Sequence, residues 1–599
     1  MTIRDVTEII HSFKAYLDIG SAYSPKVVPH KEQVTFLSKK TGIPQLWYWD
    51  AAESRSEQFN VMPDSVMDVS HSPNGDKIVI GMDYKGNEKQ QLYLIDNETR
   101  AVEELMIAPE YFHYLGGWSP CGKKIAWSSN RRNPAYFDVF VQDVETKQTE
   151  VVYRFEGRCD PERWLPDGNS LLIKCREGSH LQRLYVLDLN SGGTTRIGFE
   201  ALSRYESVQI VKDGSLGYLL SDAAENTMAL YRFTLRCELT KLAHFPKWDI
   251  EEAKLSPDET TIAYTVNEGG ISILHIYDVT TGQSDVIAEI PQGVIDSIAW
   301  FNERQLIFTL KSPVLPGDIF RYGVETHSLE RLTHFGRTEG DDPSWREPEL
   351  RTFSSFDGLK VPYFYYKQEA KKSPAVVYVH GGPESQAKYE FNAVVQYLAG
   401  QGFAVFVPNV RGSSGYGNEY MNLDNGRKRL DSVADLAWLV KDIAGIDAVD
   451  SEKIGIIGRS YGGFMVLAAL TQYPDLWAAG VDIVGISHFR TFLENTGLWR
   501  RKLREMEYGT LADDSDFFEE IAPLNLSHNI KAPLLIFHGR NDTRVPVSES
   551  EQMYADMIAR GQQAELIVFD DEGHKTEKLE NHILMNEKVA QFFRQHLEL

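Results

Sequence analysis

Six times between Ser72 and Leu310 the same order of polar and apolar positions returns. A turn with Pro, Gly or Asp leads into an apolar run, a loop, a second apolar strand with aromatics, and an acidic turn. The openings read SPNGDKIVIG from Ser72, WSPCGKKIAWSS from Trp118, WLPDGNSLLIK from Trp164, VKDGSLGYLL from Val211, LSPDETTIAYT from Leu255 and WFNERQLIFTL from Trp300. Strands such as QLYLIDNETR, DVFVQDVETK, RLYVLDLNSGG, ALYRFTL, ILHIYDVTTG and DIFRYGVETH follow them. The spacing, roughly 44 to 48 residues, lies in the range of four-stranded propeller blades. Adding VTFLSKKTGIPQLWYWD at Val34 gives about seven units, which predicts a seven-bladed β-propeller over residues 21–340. A sandwich or a set of small β-domains would not keep so constant a period. The unit near Val34 is short, so closure by a strand from the far end stays open.

After DPSWREPELRTFSSFDGLKVPYFYY the pattern changes. Short apolar strands (AVVYVHGGP, FAVFVPNVRG, IGIIGRSYGG, AGVDIVG, PLLIFHGRND, ELIVFDDEGH) alternate with helical stretches near 386–400, near 428–444 and after Gly463. That alternation predicts a doubly wound α/β domain over residues 341–599, its mostly parallel sheet covered on both faces. Before the repeats, Ile3, Val6, Ile10, Phe13 and Leu17 recur at helical spacing, predicting an amphipathic helix within residues 1–20. Asp5, Glu8 and Asp18 favour its docking on the body of the protein over a membrane surface.

Two such domains agree with a length of 599 residues. The formal net charge of -24 argues against nucleic-acid partners and anionic membranes, and no run of apolar residues is long enough to span a bilayer. Cys121, Cys159, Cys175 and Cys237 form no CxxC or Cys/His ligand pattern, so the expectation is reduced thiols in the cytoplasm, with no metal and no disulfide framework. The first twenty residues carry charges throughout and lack the features of a signal peptide.

The chemistry concentrates in the second domain. Gly458-Arg459-Ser460-Tyr461-Gly462 is a GxSxG between a strand and a helix, the setting that exposes a serine hydroxyl on a tight turn. Small residues there also mark ordinary strand–helix packing, so Ser460 needs a base and an orienting carboxylate. Asp542 follows one strand and His574 the next, which brings both to the carboxyl ends of neighbouring strands in the order Ser, Asp, His. Asp570 and Asp571 are alternative acids, poorly placed because they share the loop of His574. Acyl transfer also needs donors for a developing oxyanion, worth roughly 3 to 4 kcal/mol each. His380-Gly381-Gly382-Pro383 after a strand supplies one from the Gly382 N–H, and Tyr461 supplies the other. His380 reads as a brace for this loop.

Together with NVRGSSGYG at 409, TFLENTGLWRRKLREMEYG at 491, HGRNDTRVP at 538 and DEGH at 571, these motifs resemble the prolyl oligopeptidase family of serine peptidases, most closely its acylaminoacyl-peptidase branch, along essentially the full chain. The resemblance implies a serine peptidase for short peptides, without cofactor, in which the propeller excludes folded proteins. It implies removal of acylated amino acids or dipeptides, or cleavage within oligopeptides. By matching position, it makes Phe489, Phe492 and Val545 candidates for the apolar pocket that takes the residue before the scissile bond. No paired-glutamate motif clearly marks recognition of a free amino terminus.

Two other classes fit parts of the sequence. A carboxylesterase or amidase for small acyl substrates would use the same triad, and a catalytically silent propeller would be an interaction platform. Arg411, Arg500 and Arg501 could bind substrate carboxylates, although ion pairs within the fold account for them too. The acidic surface leaves homo-oligomer formation open.

Overall fold

The computed structural model describes residue 16 and residues 20–336, 345–369 and 372–599. The expected N-terminal helix lies outside them except for Tyr16, which is buried edge-on against Tyr397 at 5.5 Å.

The repeats are antiparallel four-stranded units, seven among the described residues, running from Ala22–Val27 in the first to Ser328–Arg331 in the last. The third and fourth join into one eight-stranded sheet through the pairing of Phe137 with Arg158. Successive side chains point to opposite faces of a strand, and each unit packs against a neighbour on both, so the inner strands are apolar on both faces. In Lys77–Met82, Ile78 and Ile80 pack toward the first unit while Val79 packs toward the third. Each neighbouring pair of units shares such a cluster. A seventh cluster joins Val34, Phe36 and Trp47 of the first unit to Ile307 and Ile319 of the last. All four strands of the first unit, from Ala22–Val27 to Arg55–Gln58, come from the amino-terminal end, so among the described residues no strand from the far end completes it.

The recurring turn has a common construction. Ser72, Ser119 and Ser256 each accept, through Oγ at 3.0 Å, the N–H of the residue five positions on. The turn glycines Gly75, Gly122, Gly168 and Gly214 sit at φ between 67° and 73°, where a side chain would be strained. The acidic turns close on Asp96, Asp188 and Asp278, whose carboxylates accept backbone N–H groups two and three residues on.

The second domain is an eight-stranded sheet in the order Glu349–Ser354, Lys360–Tyr366, Ala404–Pro408, Ser373–Val379, Val449–Arg459, Ala479–Ile483, Leu534–Gly539, Ala564–Phe569. The first two neighbouring pairs are antiparallel and all later ones parallel. Helices Arg429–Ile443 and Tyr461–Gln472 cover one face, and Ala393–Gly400 and Leu579–His596 the other. Among the described residues no helix is long and apolar enough to cross a membrane.

Candidate active site

Ser460 joins the strand Val449–Arg459 to the helix Tyr461–Gln472, and its backbone stands at φ 60°, ψ −120°. The turn is held by Ser460 N–H donating to Ile483 O at 2.8 Å and by Phe464 N–H donating to Ser460 O at 3.1 Å. Both flanking glycines are required by contact: a Cβ on Gly458 would lie 2.2 Å from Gly462 O, and one on Gly462 would lie 2.3 Å from Val379 O. Sequence thus fixes a strained elbow that aims the hydroxyl away from the sheet.

The structure brings Ser460, His574 and Asp542 together. His574 Nε2 lies 3.0 Å from Ser460 Oγ, and His574 Nδ1 lies 2.7 Å from Asp542 Oδ2. Asp542 follows the strand Leu534–Gly539 and its other oxygen accepts the N–H groups of Arg544 and Val545 at 2.8 and 3.0 Å. His574 follows Ala564–Phe569, and the Arg459 guanidinium donates to its backbone oxygen. Burial would raise the Asp542 pKa, but the facing His574 and hydrogen bonds from His538 and His574 hold it well below the carboxylate range. Burial pushes His574 below its ordinary value, against the pull of Asp542. A hydroxyl on a neutral, oriented imidazole can be deprotonated as it attacks a carbonyl. Asp570 and Asp571 are engaged elsewhere, by Arg540 at 2.5 Å and Lys578 at 2.7 Å.

The loop from His380 lies against this centre: a Cβ on Gly381 would be 3.5 Å from Ser460 Cβ, and Gly382 takes φ 136°. Tyr461 begins a helix, so its N–H has no intrahelical acceptor. Its ring is anchored by hydroxyl bonds to Asp424 at 2.8 Å, Ser432 at 2.9 Å and Arg429 at 3.1 Å. His380 bonds Gly381 O at 2.7 Å and Ser413 Oγ at 2.9 Å, which suits a brace. Phe489, Phe492 and Val545 are buried, with Phe489 packed on Phe464 at 4.7 Å and on Tyr508 at 4.6 Å, and with the Val545 N–H on Asp542.

Sequence reasoning missed the contribution of the propeller. Glu88 forks onto Arg544 at 2.7 and 2.5 Å, two residues past Asp542. Gly86 and Gly573 touch so closely that a Cβ on Gly573 would lie 2.0 Å from Gly86 O. Trp499 packs on Phe112 and Phe137 of the third unit at 5.5 and 6.0 Å. Glu384, two residues beyond Gly382, pairs with Arg504 at 3.1 Å and His180 at 3.4 Å. Arg544, Gly573, Trp499 and Arg504 lie in motifs of the second domain, but nothing in the sequence pairs them with Glu88, Gly86, Phe112 or Glu384.

Comparison with known proteins gives a match to "Prolyl oligopeptidase family" over residues 389–599 and to "TolB beta propeller domain" over residues 114–346. Dipeptidyl aminopeptidase BIII of Pseudoxanthomonas mexicana is 24% identical over 612 residues, covering 96% of this chain and 86% of its own. An acylamino-acid-releasing enzyme of Arabidopsis thaliana is 25% identical over 244 residues, covering 39% of this chain and 31% of its own. A solved prolyl endopeptidase superposes with a TM-score of 0.87 at 16% identity, over 99% of this chain and 92% of that one. The acylaminoacyl peptidase of Pyrococcus horikoshii superposes at 0.75 with 20% identity, over 97% and 96%.

Proposed function

We propose, for a chain that belongs to the prolyl oligopeptidase family of serine peptidases, that it hydrolyses short peptides at Ser460 and releases acylated amino acids or small peptides. The observation that carries this reading is the run of contacts from Ser460 through His574 to Asp542, at 3.0 and 2.7 Å. Ser460 attacks the acyl carbon while His574 Nε2 takes its proton; Asp542 holds the ring tautomer and stabilises the imidazolium. The N–H groups of Gly382 and Tyr461 receive the oxyanion. His574 then protonates the leaving amine, and water, activated by the same imidazole, hydrolyses the acyl-enzyme. Phe489, Phe492 and Val545 form the apolar backing for the residue before the scissile bond.

The propeller acts as the size filter. We read its seven units as a seven-bladed ring closed by the packing of Phe36 and Trp47 on Ile307 and Ile319. Residues 21–340 and 341–599 are the gating and catalytic domains. The scattered cysteines favour a reducing, cytoplasmic setting. A second reading, release of dipeptides with a free amino terminus, is favoured by the similarity to a dipeptidyl aminopeptidase along nearly the whole chain.

The test is fluorophosphonate labelling of the wild type and Ser460→Ala, followed by turnover of acetyl-leucyl anilide, glycyl-prolyl anilide and a simple acyl ester. Labelling that depends on Ser460, with turnover of the acetylated anilide, is expected. Turnover of the free dipeptidyl anilide instead would establish the second reading, and ester turnover alone would make the chain an esterase.

A further inference from the structure

Of the three arginines that the sequence marks as carboxylate binders, the fold engages two. Arg411 forks onto Asp435 and Asp357 at 2.8 to 3.1 Å, and Arg501 donates to Glu494 O at 2.6 Å. Arg500 is different. Its Nε, like that of Arg501, is buried without an acceptor, and so is Nε1 of Trp499 beside it, but among the described residues Arg500 has no other nitrogen engaged. Among the described residues the Arg500 guanidinium has no ion pair and no hydrogen bond, while the side chain as a whole is only half-buried, so its outer nitrogens stay reachable.

The charges around Arg500 do not balance. It faces Arg504, Arg544 and Glu88. Arg544 already occupies both oxygens of Glu88, and Arg504 is paired with Glu384. Of these three guanidiniums Arg500 is the one without an ion pair of its own among the described residues. Burial and the neighbouring Arg504 and Arg544 push its pKa down to about 9, the strain expected of an uncompensated cation. Its position matters as well. Just ahead of the helix Leu498–Tyr508, Thr496 Oγ1 donates to Arg544 O at 2.7 Å, which ties that helix to the loop carrying Asp542. Trp499 contacts the propeller on the other side. Arg500 therefore stands at the joint of the two domains, on a helix tied to the loop that carries Asp542.

We propose that Arg500, with Arg504 and Arg544 around it, forms a carboxylate-binding subsite that takes the negative end of a short peptide cleaved at Ser460. The guanidinium fork matches a carboxylate in two parallel bonds, and a ligand carboxylate supplies the missing charge. The subsite rests on the peptidase reading for the identity of its ligand. The carboxylate can come from a free C-terminus or from an Asp or Glu side chain.

The test uses the full-length chain and one N-acetylated pentapeptide in three forms: free acid, C-terminal amide, and amide with Asp in place of Asn. In the wild type kcat/KM for a carboxylate-bearing form exceeds that for the neutral amide about tenfold or more, as a charge-assisted pair requires. A gain confined to the free acid identifies the C-terminus as the ligand; a gain confined to the Asp peptide identifies the side chain. In Arg500→Gln the ratio falls toward one while Ser460 still labels with a fluorophosphonate. Equal rates on all three forms by an enzyme that labels would overturn the subsite. Calorimetric titration of Ser460→Ala with all three forms decides binding without turnover. Equal affinities overturn the subsite even in an inactive enzyme, whereas loss of labelling in the wild type counts against the serine nucleophile alone.

Discussion

At His574 two opposed effects set the working range. Burial disfavours the imidazolium more than Asp542 favours it, so the folded pKa lies below the ordinary value of about 6.5. Catalysis needs the neutral ring, so activity is present above the folded pKa and is lost as pH falls through it. A profile of kcat/KM against pH is therefore expected to keep its plateau to below pH of about 6.5 before declining; a midpoint above that value would contradict the burial argument. Asp542→Asn leaves the ring without its acceptor at Nδ1 and should lower kcat by about 10⁴-fold with little change in folding, read by steady-state kinetics beside a thermal melt. Ser460, Asp542 and His574 were legible in the sequence because each ends a strand, and strand ends converge in a parallel sheet. The division between Arg411 and Arg500 was not. Both are arginines in polar surroundings, and only the folded positions of Asp357 and Asp435 distinguish the paired one from the unpaired one.

At the scale of elements, the sequence repeats what the structure repeats. The blade-like units declare themselves through a serine that caps a turn, a glycine in the left-handed region three residues on and, about two dozen residues later, an aspartate that closes the next turn. The strand–elbow–helix unit at Ser460 is equally local, and it is fragile for a stated reason. Gly462→Ala puts a methyl group 2.3 Å from Val379 O, where the neighbouring atom is backbone and cannot swing away. The elbow must deform, so labelling of Ser460 is expected to drop at least about tenfold and the melting temperature to fall; overpacking of this kind costs roughly 1–3 kcal/mol. A Gly462→Ala enzyme that labels at the wild-type rate would show that the elbow is looser than its contacts imply. The walls of the apolar pocket were less legible than the elbow. Phe489 and Phe492 read as apolar positions on a helix, and their packing against Phe464 and Tyr508 depends on three separate segments meeting.

Across the whole molecule, some contacts between domains fall on the loops that carry Asp542 and His574. Glu88 holds Arg544, and Gly86 seats Gly573 next to His574. These partners are hundreds of residues apart, so no local pattern announces them. Gly573→Ala would drive a methyl group to 2.0 Å from Gly86 O and displace the histidine loop. Turnover should fall by about 10²-fold, the effect of misplacing a catalytic group by an ångström, while a circular-dichroism melt stays near wild type. Unchanged kcat would mean that the loop holds its shape without the propeller. The order of the chain adds a further consequence. Synthesis proceeds from the amino end at roughly 5–20 residues per second and domains fold as they emerge. The propeller loop that seats Gly573 is therefore made long before the segment it receives, and the nascent chain carries a finished template for its last catalytic residue. A rearranged gene encoding the hydrolase ahead of the propeller would reverse that order, leaving the histidine loop to wait for its mould.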